Sequence, residues 1–367
     1  MFGFFSPRSR FSASSRPFFP SFPLTRGGSG TSTTPRLQIT LLLLAVLVAV
    51  VALPNRTAIS ALSVACLVAA ISWNVVVLAP FVLPVFALGP SPEVAASRCS
   101  ADRRLRVLTV NVQMGNHHDH RLLEIVRNAD PDVAWFQETD AWWESELAPL
   151  AETMPHGVSE AQDNYFGVHL FSRLPLGDAE IRHLTNSRNP SVFAAATLPS
   201  GDEIKLYAIH PRPPQVGQST AERDAQIMAT ALEANGDGMP HVIMGDLNTV
   251  PWEHFAGRLK RIGGFGDPRV GRGLFVTWNA NSTILKWPLD HVMPGPGWRL
   301  ARLEVLPTFG SDHLPLLAEL CLEDGSTSTR QVEADELRRA RETVARGQSR
   351  ATSDGASNPL GTETAEE

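Results

Sequence analysis

Acids, amides and histidines fall in six short clusters across the C-terminal two thirds of this sequence. They are Asn111 in LTVNV, Gln137-Glu138 in PDVAWFQE, His210 in YAIHPRP, Asp246 and Asn248 in VIMGDLN, Asp290 in PLDHVM, and Ser311-Asp312-His313 in FGSDHLP. Most of these follow an apolar run of strand length. Side chains of this kind can hold a hard divalent cation and a phosphate beside an activated water. Together they point to metal-dependent phosphoester hydrolysis.

Each cluster can be assigned a task from its residue types. Gly245 permits a sharp turn after an apolar run, and Asp246 and Asn248, two apart, can then face the same side. A carboxylate there can take a proton from attacking water, and an amide can orient that water or a phosphate oxygen. Glu138 at a strand end is a good ligand for Mg²⁺. Ser311 lacks the GxSxG surroundings of a hydrolase nucleophile. Asp312 can instead help at the metal and His313 bind the phosphoryl group. Asp290 can hold the other ring nitrogen of His313 and fix its tautomer, while strand alternation turns His291 away. His210, ahead of a stiff Pro211-Arg212-Pro213-Pro214 loop, can donate a proton to the leaving oxygen or bind phosphate. Any one of these clusters is also what an ordinary turn or helix cap uses; the argument rests on the set.

The elements that must position these groups can be read from the apolar pattern. Strand-like runs lie at 105–110, 133–136, 167–171, 192–197, 204–209, 241–244, 303–306 and 316–320. Helical patterns lie at about 119–128, 140–151 and 219–234. That is a strand-rich α/β domain over 105–322, with strands enough for two sheets. Residues 323–367 read as a charged, largely disordered tail with a surface helix near 333–346.

The N-terminal third has a different composition. Residues 1–100 carry seven arginines against the single acid Glu93, whereas 101–320 carry 19 Lys/Arg against 27 Asp/Glu. Residues 1–36 read as a disordered basic arm. Residues 37–88 read as a transmembrane region with spans at about 37–53 and 58–80, followed by a linker over 89–104. Positive charge puts the arm on the cytoplasmic side; the side of the catalytic domain stays open. The acidic domain lacks the basic face of a general nucleic-acid binder, so nucleic acid is a possible partner but not the favoured one. Cys66, Cys99 and Cys321 are scattered and support neither a zinc ribbon nor a disulfide framework.

The ordered set over about 105–321 resembles the endonuclease/exonuclease/phosphatase superfamily, with its deoxyribonuclease I-like fold. Asn111, Glu138 in its QE motif, His210, the Asp246/Asn248 pair, Asp290 and Asp312-His313 match that family's motifs in order. Thr277-Trp278 ahead of PLDHVM, and the stretch from Asn74 to Pro84, resemble its bacterial membrane-anchored members. The resemblance implies an α/β, four-layer α/β/β/α sandwich of two packed mixed sheets, preceded by N-terminal transmembrane helices. It also implies in-line attack of water on phosphorus. Asp246 would act as base and Asn248 as orienter. Glu138 would carry Mg²⁺ or Mn²⁺, with Asn111 and Asp312 near the ion. His313, backed by Asp290, would stabilise charge, and His210 would assist the leaving group. Gln113 stands where some nuclease members have a further metal-ligand Asp, which favours one metal. Arg212 and Arg272 are candidate phosphate clamps, and Trp252 a candidate substrate contact. The expected protein is a multi-pass membrane phosphodiesterase or phosphatase, and a lipid-linked phosphoester fits the anchor. The alternatives are a nuclease and a catalytically silent binding module of the same fold.

Overall fold

Alternation of fully buried runs with polar turns builds two sheets that share one apolar interface. The structure is a computed structural model and describes residues 35–52, 58–83, 99–117, 121–185, 188–214, 219–323 and 331–357. Two helices come first, α1 (Arg36–Ala52) and α2 (Ala58–Val82). The domain then runs β1 (Arg104–Asn111), α3 (Arg121–Ala129), β2 (Val133–Gln137), α4 (Ala141–Leu147), β3 (His156–Glu160), β4 (Val168–Ser172), β5 (Leu176–Arg182), β6 (Ser191–Thr197) and β7 (Glu203–Ile209). It continues with α5 (Ala221–Asp237), β8 (His241–Asp246), α6 (His254–Gly263), β9 (Asp290–Pro294), β10 (Trp298–Val305), β11 (Leu316–Leu322) and α7 (Ala334–Ser357).

One sheet has the order β10-β11-β1-β2-β4-β3 and the other β5-β6-β7-β8-β9. Both are mixed: β1 runs parallel to β2 and β7 parallel to β8, and the other pairings are antiparallel. Leu105, Val107, Val133, Trp135, Leu206, Val242, Met244 and Leu320 lie between the sheets and exclude water from the interface. On the outer face of the first sheet, Leu108, Val110 and Phe136 pack against Leu122, Val126, Trp143 and Leu147 of α3 and α4. On the outer face of the second, Tyr207, Ile209 and Ile243 pack against Ile227, Ala231, Leu259 and Ile262 of α5 and α6. The expected α/β/β/α layering is therefore the observed one.

Two expectations change. Cys99 and Cys321 form a disulfide across 222 residues of sequence. The antiparallel β1–β11 ladder pairs Arg104 with Cys321, which carries the residues just ahead of β1 to the end of β11. Sequence spacing holds no trace of that proximity. The tail is also more ordered than expected. α7 runs to Ser357 and packs on α5, with Ala340 fully buried and Gly347 directly against Ala225. The rest of the tail, most of the basic arm and most of the linker lie outside the described residues.

In the N-terminal region, α2 is the one described helix long and apolar enough to cross a membrane; α1, also apolar, has 17 residues. Two full spans are thus met by only one helix of sufficient length. Leu42, Val48, Leu62, Val76 and other large apolar side chains of the pair are exposed. The pair is nonetheless joined to the domain. Arg36 donates to Asn74 Oδ1 (2.7 Å), and the N–H groups of Gly271 and Gly273 donate to the carbonyls of Pro80 (2.7 Å) and Phe81 (2.9 Å).

Candidate active site

Four parallel-paired strands end at the same rim. β1 ends at Asn111, β2 at Gln137, β7 at Ile209 and β8 at Asp246. Asp290, which opens β9, is the cross-strand partner of Asp246. The turn preceding β11 supplies Ser311, Asp312 and His313. Stacking the sheets thus gathers polar groups that the sequence scatters over 200 positions.

The central contact is His313. Its Nδ1–H donates to Asp290 Oδ2 at 2.8 Å, and its Nε2 lies 3.5 Å from Asp246 Oδ2. Asn111 Nδ2 donates to Glu138 Oε1 (2.8 Å) and to Asp246 Oδ2 (3.3 Å). His210 Nε2 stands 4.0 Å from both Glu138 Oε1 and Asp246 Oδ2. Asp246 Oδ1 accepts the Asn248 N–H (2.9 Å), while the Asn248 side chain donates to the Pro211 carbonyl (3.0 Å). Asp312 accepts from Trp278 Nε1 at 2.9 Å. Eight of the expected residues, Asn111, Glu138, His210, Asp246, Asn248, Asp290, Asp312 and His313, therefore meet in one cluster.

The local backbone is specialised. Gly245 has φ +139°, and a Cβ there would lie 1.9 Å from the Ile209 carbonyl oxygen, so only glycine lets β8 run close to β7 before the turn. Glu138 (φ 63°), Asn248 (φ 49°) and Gln113 (φ 58°) all adopt the left-handed region. Such conformations persist in non-glycine residues where surrounding bonds enforce them, and they cluster at functional sites.

Burial shapes the electrostatics. Desolvation raises Glu138 to about 7, against the pull of the Asn111 hydrogen bond and the His313 charge. It raises Asp246 to about 6, partly offset by His313. Burial alone would push His313 down, but the Asp290 and Asp246 carboxylates carry it up to about 10, so at neutral pH it is an imidazolium. Burial, aided by the His313 charge, lowers His210 to about 3, so that ring is neutral. Asp290 Oδ1 and His210 Nδ1 are buried without a hydrogen-bond partner.

The donor set fits a hard divalent cation: the Glu138, Asp246 and Asp312 carboxylates act on one another, and burial keeps two of them partly protonated. Asn111 presents its amide nitrogen to Glu138, while its oxygen accepts the Gln113 N–H (3.0 Å), so here it braces a ligand. Asp246, Asp290 and His313 also lie close enough together to hold an ion. The His313 ring, however, is hydrogen-bonded to Asp290 through Nδ1 and carries a positive charge, which leaves it no lone pair for a cation.

Arg212 is half-buried on the loop after His210. Trp252 packs edge-on against Phe81 of α2, with ring centroids 5.8 Å apart. Arg272 NH1 donates to the carbonyls of Pro268 (2.9 Å) and Val270 (3.3 Å), bracing its own turn near the end of α2.

Several residues support the cluster; Gln137 and Ser311 adjoin its members in the sequence, whereas Arg223 carries no sequence signal of its own. Gln137 donates to Thr109 Oγ1 (3.0 Å) and accepts the Asp246 N–H through Oε1, so a side chain of the first sheet fixes the end of β8 in the second. Arg223 donates to the Asn248 carbonyl (2.9 Å). Ser311 Oγ donates to the Asn111 carbonyl (2.9 Å) and accepts the His313 N–H (3.0 Å). His291 points away from the site, as alternation requires. Its Nε2 meets the Thr249 carbonyl (2.8 Å) and its Nδ1 the buried Arg269.

The sequence profile of the Endonuclease/Exonuclease/phosphatase family matches residues 108–313. A comparison with curated protein sequences returns no match. Among solved structures, TDP2 of D. rerio complexed with a single-strand DNA product superposes with a TM-score of 0.50 at 16% identity, covering 59% of this chain and 98% of the other. An endonuclease/exonuclease/phosphatase of Beutenbergia cavernae gives 0.49 at 20% identity, covering 64% and 76%. Sphingomyelinase C of Streptomyces griseocarneus gives 0.43 at 19% identity, covering 59% and 99%. The profile match spans more than half of the sequence and encloses every member of the strand-end cluster, and the chain belongs to the endonuclease/exonuclease/phosphatase family, whose members are in general metal-dependent hydrolases of phosphoester bonds.

Proposed function

We propose that this protein is a membrane-anchored, divalent-metal-dependent phosphodiesterase or phosphatase. One observation carries the reading: a buried carboxylate, Asp246, lies 3.5 Å from the imidazolium of His313, which a second carboxylate, Asp290, holds at 2.8 Å. Glu138 and Asp312 would hold Mg²⁺ or Mn²⁺, with Asn111 bracing Glu138. When bound, the ion would neutralise phosphate charge and acidify water.

The protein's own groups divide the remaining work. Asp246 is raised to about 6, close to the working pH of a general base, and takes the proton of the attacking water. Asn248, held by the Asp246 carboxylate and the Pro211 carbonyl, orients the water and a phosphate oxygen. His313 keeps its proton and stabilises charge as it develops on phosphorus, while Asp290 fixes the ring. His210 stays neutral, which favours hydrogen-bond donation to a phosphate oxygen over proton transfer to the leaving group.

The anchor reading rests on the exposed apolar surfaces of α1 and α2. The Cys99–Cys321 disulfide favours an oxidising compartment for the domain, whereas the basic arm favours the cytoplasmic side. We take the disulfide as the stronger guide, because cytoplasmic thiol pools keep such pairs reduced. An alkaline phosphatase reporter fused after residue 357 should be active; an inactive fusion at normal expression would reverse the assignment.

The catalytic test is direct. Full-length protein in detergent should hydrolyse an aryl phosphodiester or monoester with Mg²⁺ or Mn²⁺, and Asp246→Ala should abolish turnover. Activity that survives in this variant removes Asp246 as base. Turnover of single-stranded DNA far above that of lipid phosphates or nucleotides would favour a nuclease, and silence on every phosphoester would favour a binding module.

A further inference from the structure

The segment 279–286 connects two places. Its root is tied to the catalytic rim. Trp278 Nε1 donates to Asp312 Oδ2 (2.9 Å), the Ala280 N–H donates to the Asp312 carbonyl (2.7 Å), and the Trp278 ring stacks on Trp287 with centroids 5.2 Å apart. Its tip carries Ile284, 71% exposed, and Leu285, 42% exposed, the most exposed aliphatic side chains of the described catalytic domain.

The tip also touches the apolar helices. Gln38 of α1 donates through Nε2 to the Ile284 carbonyl at 3.0 Å. Arg36, the only cation in α1 and α2, bonds Asn74 of α2, which marks a polar level on the helix pair. Gln38 lies two residues deeper into the apolar stretch, about 3 Å at 1.5 Å per residue. The Ile284 carbonyl therefore lies within hydrogen-bond reach of the apolar helix pair, whose exposed Trp73 is a residue type that favours the bilayer interface. The neighbouring turn, through Gly271 and Gly273, is hydrogen-bonded to the last turn of α2.

We propose that the 279–286 loop is a bilayer-contacting element and that the active site draws its substrate from the membrane surface. The substrate would be an amphiphile whose phosphoester head reaches the rim while its apolar part stays in the bilayer. This rests on the phosphoesterase reading above for the chemistry, and on α1, α2 and the loop for the geometry. Exposed apolar tips of this size are costly in water and favourable in an acyl boundary. The loop has only eight residues, so its tip stays close to the rim that its root borders at Asp312.

Two measurements on the full chain separate this from the catalytic reading. In a Cys66→Ala background, Leu285→Cys is labelled with an environment-sensitive fluorophore and reconstituted in phosphatidylcholine/phosphatidylglycerol vesicles containing doxyl-labelled lipid. The label should be quenched by shallow doxyl groups, whatever the enzyme's activity. No quenching would overturn the bilayer contact. Separately, Ile284→Asp/Leu285→Asp is compared with the wild type on a phospholipid in vesicles and on a soluble aryl phosphodiester. Turnover of the vesicle substrate should fall at least about ten-fold, the scale expected for losing two buried aliphatic side chains, with the soluble substrate unchanged. Equal loss on both substrates, or none on vesicles, would overturn the membrane-fed route. Quenching with hydrolysis of neither substrate by the wild type would leave the loop at the bilayer and overturn the substrate assignment together with the phosphoesterase reading.

Discussion

Asp290→Asn isolates the electrostatic centre of the site with little change of shape. Asp290 Oδ2 accepts from His313 Nδ1 at 2.8 Å, and both groups are buried. An opposite charge this close shifts a titrating group by roughly 1–3 units, and burial puts this pair at the upper end. His313 would then fall from about 10 to a value near neutral. A change of about three units is about 4 kcal/mol of differential interaction with the charged ring. Part of this would appear in the transition state, and loss of a preorganised charge-stabilising donor costs about 10²–10³ in turnover. The assay is the pH dependence of kcat on a soluble aryl phosphodiester at saturating Mg²⁺. The wild type should rise as Asp246 loses its proton around 6 and hold its activity until His313 deprotonates near 10. The variant should lose its alkaline side from near neutral pH and gain relative activity toward acid. Carbon-13 titration of the His313 ring gives the same shift without turnover. An alkaline limb that stays in place, or a ring that still titrates near 10, would refute the dyad.

Further predictions follow from packing and charge. Gly245→Ala would drive a methyl group to 1.9 Å from the Ile209 carbonyl at a φ of +139°; a loss of at least about 2–3 kcal/mol in urea unfolding is expected, and an unchanged midpoint would refute the close approach. Asn111→Ala removes the brace on Glu138 and should weaken Mg²⁺ binding by about 10–100-fold in calorimetry. His169 is buried and lowered to about 4 by desolvation, so between 6.5 and 4 the folded state binds fewer protons than the unfolded chain. Its contribution is complete above 6.5 and is lost as pH falls toward 4, by about 3 kcal/mol; unfolding midpoints at pH 7.5 and 4.5 should converge in His169→Gln, and an undiminished gap would refute it.

What the sequence discloses depends on whether a signal is local. β8 is legible because Val242, Ile243 and Met244 form an apolar run followed by Gly245, so Asp246 and Asn248 stand out at once. The edge strands β3 (HGVSE) and β5 (LGDAEIR) carry no apolar run, because alternate residues face solvent, and they escape a search for buried strands. α6 escapes for another reason: HFAGRLKRIG holds two helix-weakening glycines and a basic end, yet it buries Leu259 and Ile262 against the second sheet. The disulfide and the Gln137–Asp246 bond join residues 222 and 109 positions apart. Both exist only because particular strands pair or stack. The strand-end groups are readable because the proposed chemistry restricts residue type there; Gln137 and Ser311 are seen only as their neighbours, and Arg223 is silent because an arginine serves equally well in many unrelated tasks.

The charges of the cluster explain why its members are mutually dependent. Four carboxylates, Glu138, Asp246, Asp290 and Asp312, surround one imidazolium; Asp246 and Asp290 are fully buried, and Glu138 and Asp312 are half-buried. Taking like charges out of water together is costly, and the protein's own response is visible in the upward shifts of Glu138 and Asp246. A divalent cation beside Glu138 and Asp312 would remove most of that cost and return Glu138 to its ionised form. A second buried cation would then be unwelcome, and His210, 4.0 Å from Glu138, is the ring that burial holds neutral. His313 escapes the same fate because the Asp290 carboxylate, hydrogen-bonded to Nδ1, and the Asp246 carboxylate near Nε2 hold its proton. One histidine charged and one neutral, both within reach of Asp246, would let a metal, a phosphate and a base occupy the same small volume under the proposed mechanism.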